Sequence, residues 1–143
     1  MKNELSKYRL ENAKEKLVSA KLLHENNQYK DSISRSYYAM FSAARALLST
    51  KGADSSKHSG IISLFNQFFV KTGIVDKRMG RILAEAKEMR EDSDYEDFVV
   101  VSNEEVEKQI KDAEVFIEEI EEVLKKKDEE NQDRLDTATN CVF

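Results

Sequence analysis

The sequence holds no proline, no tryptophan, one cysteine and only four glycines in 143 residues. A β-sandwich or loop-rich fold spends more proline and glycine than this on its turns, so the composition points to helices. The single cysteine, Cys141, allows neither an internal disulfide nor a cysteine-based zinc site, and it suits a reducing cytoplasm. It also stands one place too late for a C-a-a-X prenylation signal. No stretch approaches the roughly eighteen consecutive apolar residues of a membrane helix, and Met1-Lys2-Asn3-Glu4 lacks a signal-peptide run. A glycine-rich phosphate loop, H-E-x-x-H and paired-cysteine spacing are all absent, so no metal and no cofactor are expected.

What is present suits thin amphipathic helices: 40% of residues are apolar and 36% charged. The length fits one domain able to close its own core. A net charge of −5 hides an asymmetry, because residues 1–51 carry ten Lys/Arg against five Asp/Glu. Residues 52–143 reverse this, with thirteen against twenty-three. Such an acidic second half argues against broad non-specific nucleic-acid binding but leaves room for a local basic site.

Apolar residues recur three and four apart through Leu10, Ala13, Leu17 and Ala20, which predicts a first helix over residues 4–24. Asn27 is placed to cap a second, over residues 29–50. That helix is apolar or small nearly all round from Tyr37 to Leu48, as expected of the central helix of a bundle, with Gly52 as its stop. A third is predicted over 56–71, ended by Gly73, and a fourth from an Asp76 cap to Arg90. Residues 91–101 read as a loop whose apolar stretch, residues 98–101, lies across the bundle. Ser102 and Glu105 form a capping box for a last helix ending near Lys127, with Val106, Ile110, Ala113, Ile117, Ile120 and Leu124 as its seam. The domain is therefore placed at residues 1–127, followed by a disordered polar tail at 128–143.

Three stretches carry a resemblance: Ser34-Arg35-Ser36-Tyr37-Tyr38-Ala39-Met40-Phe41, Lys57-His58-Ser59-Gly60 and Arg90-Glu91-Asp92-Ser93-Asp94-Tyr95. In this order, with Phe69-Val70-Lys71-Thr72-Gly73 between the last two, the chain resembles the small stand-alone branch of the HEPN superfamily. The resemblance implies an all-α, up-and-down bundle of about five helices, similar to nucleotidyltransferase substrate-binding helical domains, and usually a homodimer. It also implies a minimal nucleotidyltransferase as partner, a toxin–antitoxin-like setting, and either a nucleotide or RNA ligand. Some HEPN proteins are metal-independent ribonucleases that use an arginine and a histidine a few residues later. Here Arg90 stands at the arginine's place, but Asp94 and Tyr95 follow it, and no histidine comes after His58.

An imidazole near neutral pKa trades protons with a ribose hydroxyl; an exposed aspartate is a weak base and a poor acid at pH 7. Arg90 can still hold a phosphate bidentately. The expected function is thus nucleotide or RNA-phosphate binding through Arg90, Tyr95, Arg35, Tyr38 and His58 rather than efficient cleavage. The alternative is a ribonuclease in which Asp94, Tyr95 or His58 supplies proton transfer. Tyr95, a phenol beside a loop, is also a candidate acceptor for nucleotidylation by the partner. Each residue has a plainer reading as well. Arg90 and Asp94 can simply pair at a helix end, Arg35 and Arg45 can pair with acidic neighbours, Tyr37 and Tyr38 can be core, and His58 can open its helix. His24, on the inner face of the first helix, reads as structural.

Overall fold

The computed structural model describes residues 2–141, and the side chains of residues 4–137. Cys141 therefore contributes backbone only, and what its thiol does lies outside the described residues. Five α-helices follow one another with no strand among the described residues: α1 (Lys2–Glu25), α2 (Tyr29–Ser49), α3 (His58–Phe65), α4 (Lys77–Tyr95) and α5 (Asn103–Cys141). The fold is the expected all-α bundle. Helix α2 lies at its centre and packs against α1, α3, α4 and α5. Its small residues Ala39, Ala43, Ala44 and Ala46 are fully buried, which lets the neighbouring backbones approach from several sides.

Two hydrophobic clusters hold the bundle. The larger surrounds Tyr37, Met40, Leu47, Phe65, Phe69, Leu83 and Phe116. The smaller joins Ala20 and Ile33 to Val101, Val106 and Ile110 at the start of α5. Val101 thus lies across the bundle as expected, whereas Phe98 is 99% exposed, on a backbone with φ of +63°. No helix among the described residues is long and apolar enough to cross a membrane.

The helix ends differ from expectation in four places. Asn27 does not cap α2; it takes φ of +61° and closes α1, with the Asn27 and Gln28 amides donating to the His24 and Leu23 carbonyls. Gly52, at φ of +66°, closes α2 in the same way. The expected third helix is split: after Phe65 the chain makes one π-helical turn, Asn66–Val70, in which the Lys71 amide donates to the Asn66 carbonyl at 2.8 Å.

Helix α4, capped by Asp76 as expected, passes Arg90 and ends only at Tyr95. Nothing in 91–95 breaks a helix, and two i,i+4 ion pairs, Lys87–Glu91 and Arg90–Asp94, brace that last turn. Ser93 Oγ also donates to the Met89 carbonyl at 2.8 Å. Finally, α5 continues to Cys141 where a polar irregular tail was expected from residue 128. Residues 128–141 contain neither glycine nor proline, so nothing stops a helix that is already nucleated by its packed first half. Of the expected capping box, the Ser102 half is present, its Oγ accepting from the Glu105 amide at 3.1 Å.

Candidate functional site

The extra turn of α4 decides the geometry of the site, because it places Arg90, Asp94 and Tyr95 on one helical surface against the middle of α2. The Arg90 guanidinium carbon lies 5.2 Å from the Tyr38 ring centre and 5.9 Å from those of Tyr37 and Tyr95. Its Nε is 3.1 Å from Asp94 Oδ2, an ion pair whose N–H is not aligned for a hydrogen bond. Neither terminal nitrogen donates to another of the described residues, although the side chain is only 18% exposed. The arginine is therefore fixed in orientation by rings and one carboxylate while its planar fork stays unused.

The second part of the site comes from α3. His58 opens that helix and stacks on Phe41, with ring centres 4.4 Å apart, while facing the edge of Tyr38 at 5.7 Å. Its Nδ1 is 3.3 Å from the Tyr37 hydroxyl, which is otherwise buried in the core. Tyr37 is thus a core residue that also makes a polar contact within the site. Burial pushes its phenol up to about 12, so it remains a neutral hydroxyl. Burial first, and then the positive charges of Arg90, Lys87 and Arg45, hold the His58 imidazole below its ordinary value. The imidazole is thereby held in its neutral form and made a weaker base than a free histidine.

The remaining expected residues are distributed as follows. Tyr95 is 75% exposed at the rim, a reachable phenol. Arg35 is exposed and makes neither a ring contact nor an ion pair among the described residues, so the structure does not bring it to Arg90. Arg45 pairs with Asp54, whose carboxylate it shares with Arg9. Burial alone would raise the Asp54 carboxyl, but the Ser55 amide, Arg45 and Arg9 together hold it below the usual range. His24 is structural, its Nε2 lying 2.7 Å from Asn103 Oδ1 and joining α1 to α5.

Sequence reasoning missed Phe41 and Lys87. Phe41 stands four residues after Tyr37 on the same helix face, a spacing that was available. Lys87 acts on His58 only through tertiary proximity, and nothing in the sequence signals it. Among the described residues no three His, Cys, Asp or Glu side chains are grouped to hold a metal ion.

Comparison with known proteins matches residues 6–123 to the model of the HEPN domain. A candidate toxin of Methanocaldococcus jannaschii is 40% identical over 116 residues, 81% of this chain and 86% of its own. A UPF0332 protein of Thermotoga maritima is 39% identical over 123 residues, covering 86% of this chain and 93% of the relative. A second candidate toxin from the same Methanocaldococcus strain is 33% identical over 116 residues, 81% of this chain and 78% of its own.

Proposed function

This chain belongs to the HEPN family, and from that premise we propose that it is the RNA-phosphate- or nucleotide-binding subunit of a toxin–antitoxin-like module. The observation that carries this reading is the state of Arg90. Its guanidinium is held among three tyrosine rings, and its terminal nitrogens make no bond to another described residue. A phosphodiester accepts from such a fork through two parallel hydrogen bonds, and the half-buried Tyr38 ring and exposed Tyr95 ring offer faces for a base. The chain acts as a homodimer and works with a minimal nucleotidyltransferase, for which Tyr95, at 75% exposure, is the reachable acceptor. The names of the Methanocaldococcus relatives support the toxin–antitoxin setting.

One observation favours a second reading, in which the same site cleaves RNA. His58 reaches the Tyr37–Tyr38 pair from a different helix, so an imidazole stands at the site although none follows Arg90 in the sequence. In that reaction His58 takes the proton of a ribose 2′-hydroxyl as its oxygen attacks the adjacent phosphorus. Arg90 stabilises the charge on the phosphoryl oxygens, and the 5′-oxygen leaves with a proton from solvent. The products are a 2′,3′-cyclic phosphate and a 5′-hydroxyl.

A labelled RNA oligonucleotide, incubated with EDTA and wild-type, Arg90→Ala or His58→Ala protein, separates the two. The binding reading expects retention of intact RNA by the wild type and its loss in Arg90→Ala. Cleavage by the wild type that disappears in both variants would replace binding by catalysis. Neither retention nor cleavage would remove Arg90 from the function altogether.

A further inference from the structure

The asymmetry of charge along the chain is partly undone in space. Lys7 on α1 and Lys51, just after α2, come from the basic third of the sequence. Lys125, Lys127 and Arg134 come from α5, in the acidic part. All five line one cavity of about 600 Å³, formed between the start of α1, the end of α2 and the stretch of α5 that overhangs the bundle. None of the five pairs with a carboxylate among the described residues. Two of the four carboxylates in the wall, Glu11 and Glu121, are already engaged by Lys14. That leaves Asp128 and Glu130 against five cations.

The cavity is not a bare charged surface. Leu10 and Leu124, both packed on the main core, give it an apolar floor. Lys127 is anchored there, its Nζ 5.7 Å from the centre of the buried Phe69 ring. Burial, with Lys51 and Arg134 nearby, holds the Lys127 ammonium below its usual pKa in spite of Glu130. Cations gathered without partners over an apolar floor repel one another, and an anion between them relieves that repulsion.

We propose that this cavity is a second ligand site, separate from Arg90, and that it takes a small phosphate ester with an apolar body, the chemistry of a nucleoside polyphosphate. The volume lies within the range of small-molecule sites, about 300–1,000 Å³. Its mixed lining matches a molecule that is part ring and part polyanion. An RNA strand fits less well, since a strand tracks an extended groove. From Tyr38 to Thr50 along α2 is about 18 Å, too far for one small ligand to reach both sites.

Calorimetric titration of the full chain with ATP, and separately with inorganic tripolyphosphate, tests the proposal at low salt. Saturable ATP binding is expected in the Arg90→Ala chain, where the Arg90 site no longer contributes, and it should weaken at least tenfold when Lys51→Gln/Lys127→Gln is added, with tripolyphosphate competing. Lys7→Gln/Lys125→Gln, at two residues with exposed side chains, is a second variant that leaves the core contacts alone and should also weaken binding. Absence of ATP binding overturns the proposal. Binding that survives both lysine pairs overturns it too. So does a single-stranded RNA that needs the same lysines while ATP does not bind. Because Arg90 is removed throughout this test, failure of this site leaves the reading of the Arg90 site standing, and the reverse.

Discussion

Arg90 and Tyr38 are held 5.2 Å apart, guanidinium carbon to ring centre, across the contact between α4 and α2. The pairing does two jobs at once. It offsets part of the cost of keeping a cation mostly out of water, and it orients the planar fork so that the terminal nitrogens stay free.

A lysine cannot reproduce that arrangement. Arg90→Lys keeps the charge but has no plane to stack and no fork to present, so RNA or nucleotide retention should fall about tenfold, close to the loss in Arg90→Ala. Arg90→Ala should also lower stability by about 1–2 kcal/mol, from the lost ring contacts and the Asp94 pair. Filter binding and thermal melting check the two effects separately. Full retention by the lysine variant would show that charge alone suffices.

His58 makes stability depend on pH in one direction. Its pKa is depressed in the folded chain, so the unfolded chain binds the proton more readily. Stability should therefore decline as pH falls through the ordinary histidine value of about 6.5, and level off below the folded pKa. Melting temperatures between pH 8 and 5 for wild type and His58→Gln test this, with a shallower acid decline expected in the variant. Tyr37→Phe removes the hydroxyl at Nδ1 and should cost about 1 kcal/mol, while NMR titration of the imidazole reports the change directly.

The overhanging part of α5 should be dispensable for folding. The buried seam of α5 ends at Val123, with Leu124 partly buried behind it, and beyond Lys127 the side chains described are exposed. A chain ending at Lys127 should melt within a few degrees of the full one, since surface groups contribute little. It should, however, lose the ATP binding assigned to the α1–α2–α5 cavity, because Arg134 and Asn131 are part of that wall. A collapse in melting temperature would show instead that the overhang belongs to the fold.

Much of this architecture was legible in the residues. The alternating four-and-three spacing from Val106 to Ile120 and the all-round apolar run of α2 reflect packing, and packing decides those elements. The end of α4 was not legible, because Asp92, Ser93 and Asp94 are polar, weak helix formers that read as a loop. Their helix depends on Met89 and Arg90 reaching forward to them. The π-helical turn at Asn66–Val70 escaped for a related reason: one widened turn hardly disturbs an apolar pattern as dense as Phe65, Phe68 and Phe69. At the site, Arg90, Asp94 and Tyr95 were visible as neighbours in sequence. The meeting of His58 with Tyr37 spans 21 residues and two helices, and only the tertiary fold brings it about.

Phe98 carries a consequence of a different kind. A non-glycine residue in the left-handed region costs about 1–2 kcal/mol, and this one buries almost none of its ring in return. Glycine at that position would relax the backbone and remove an aromatic face from water. Judged by the isolated chain alone, position 98 is occupied by the wrong residue. The benzyl group there adds nothing to the packing of the bundle, and the positive φ of its residue is a cost that its own contacts do not offset.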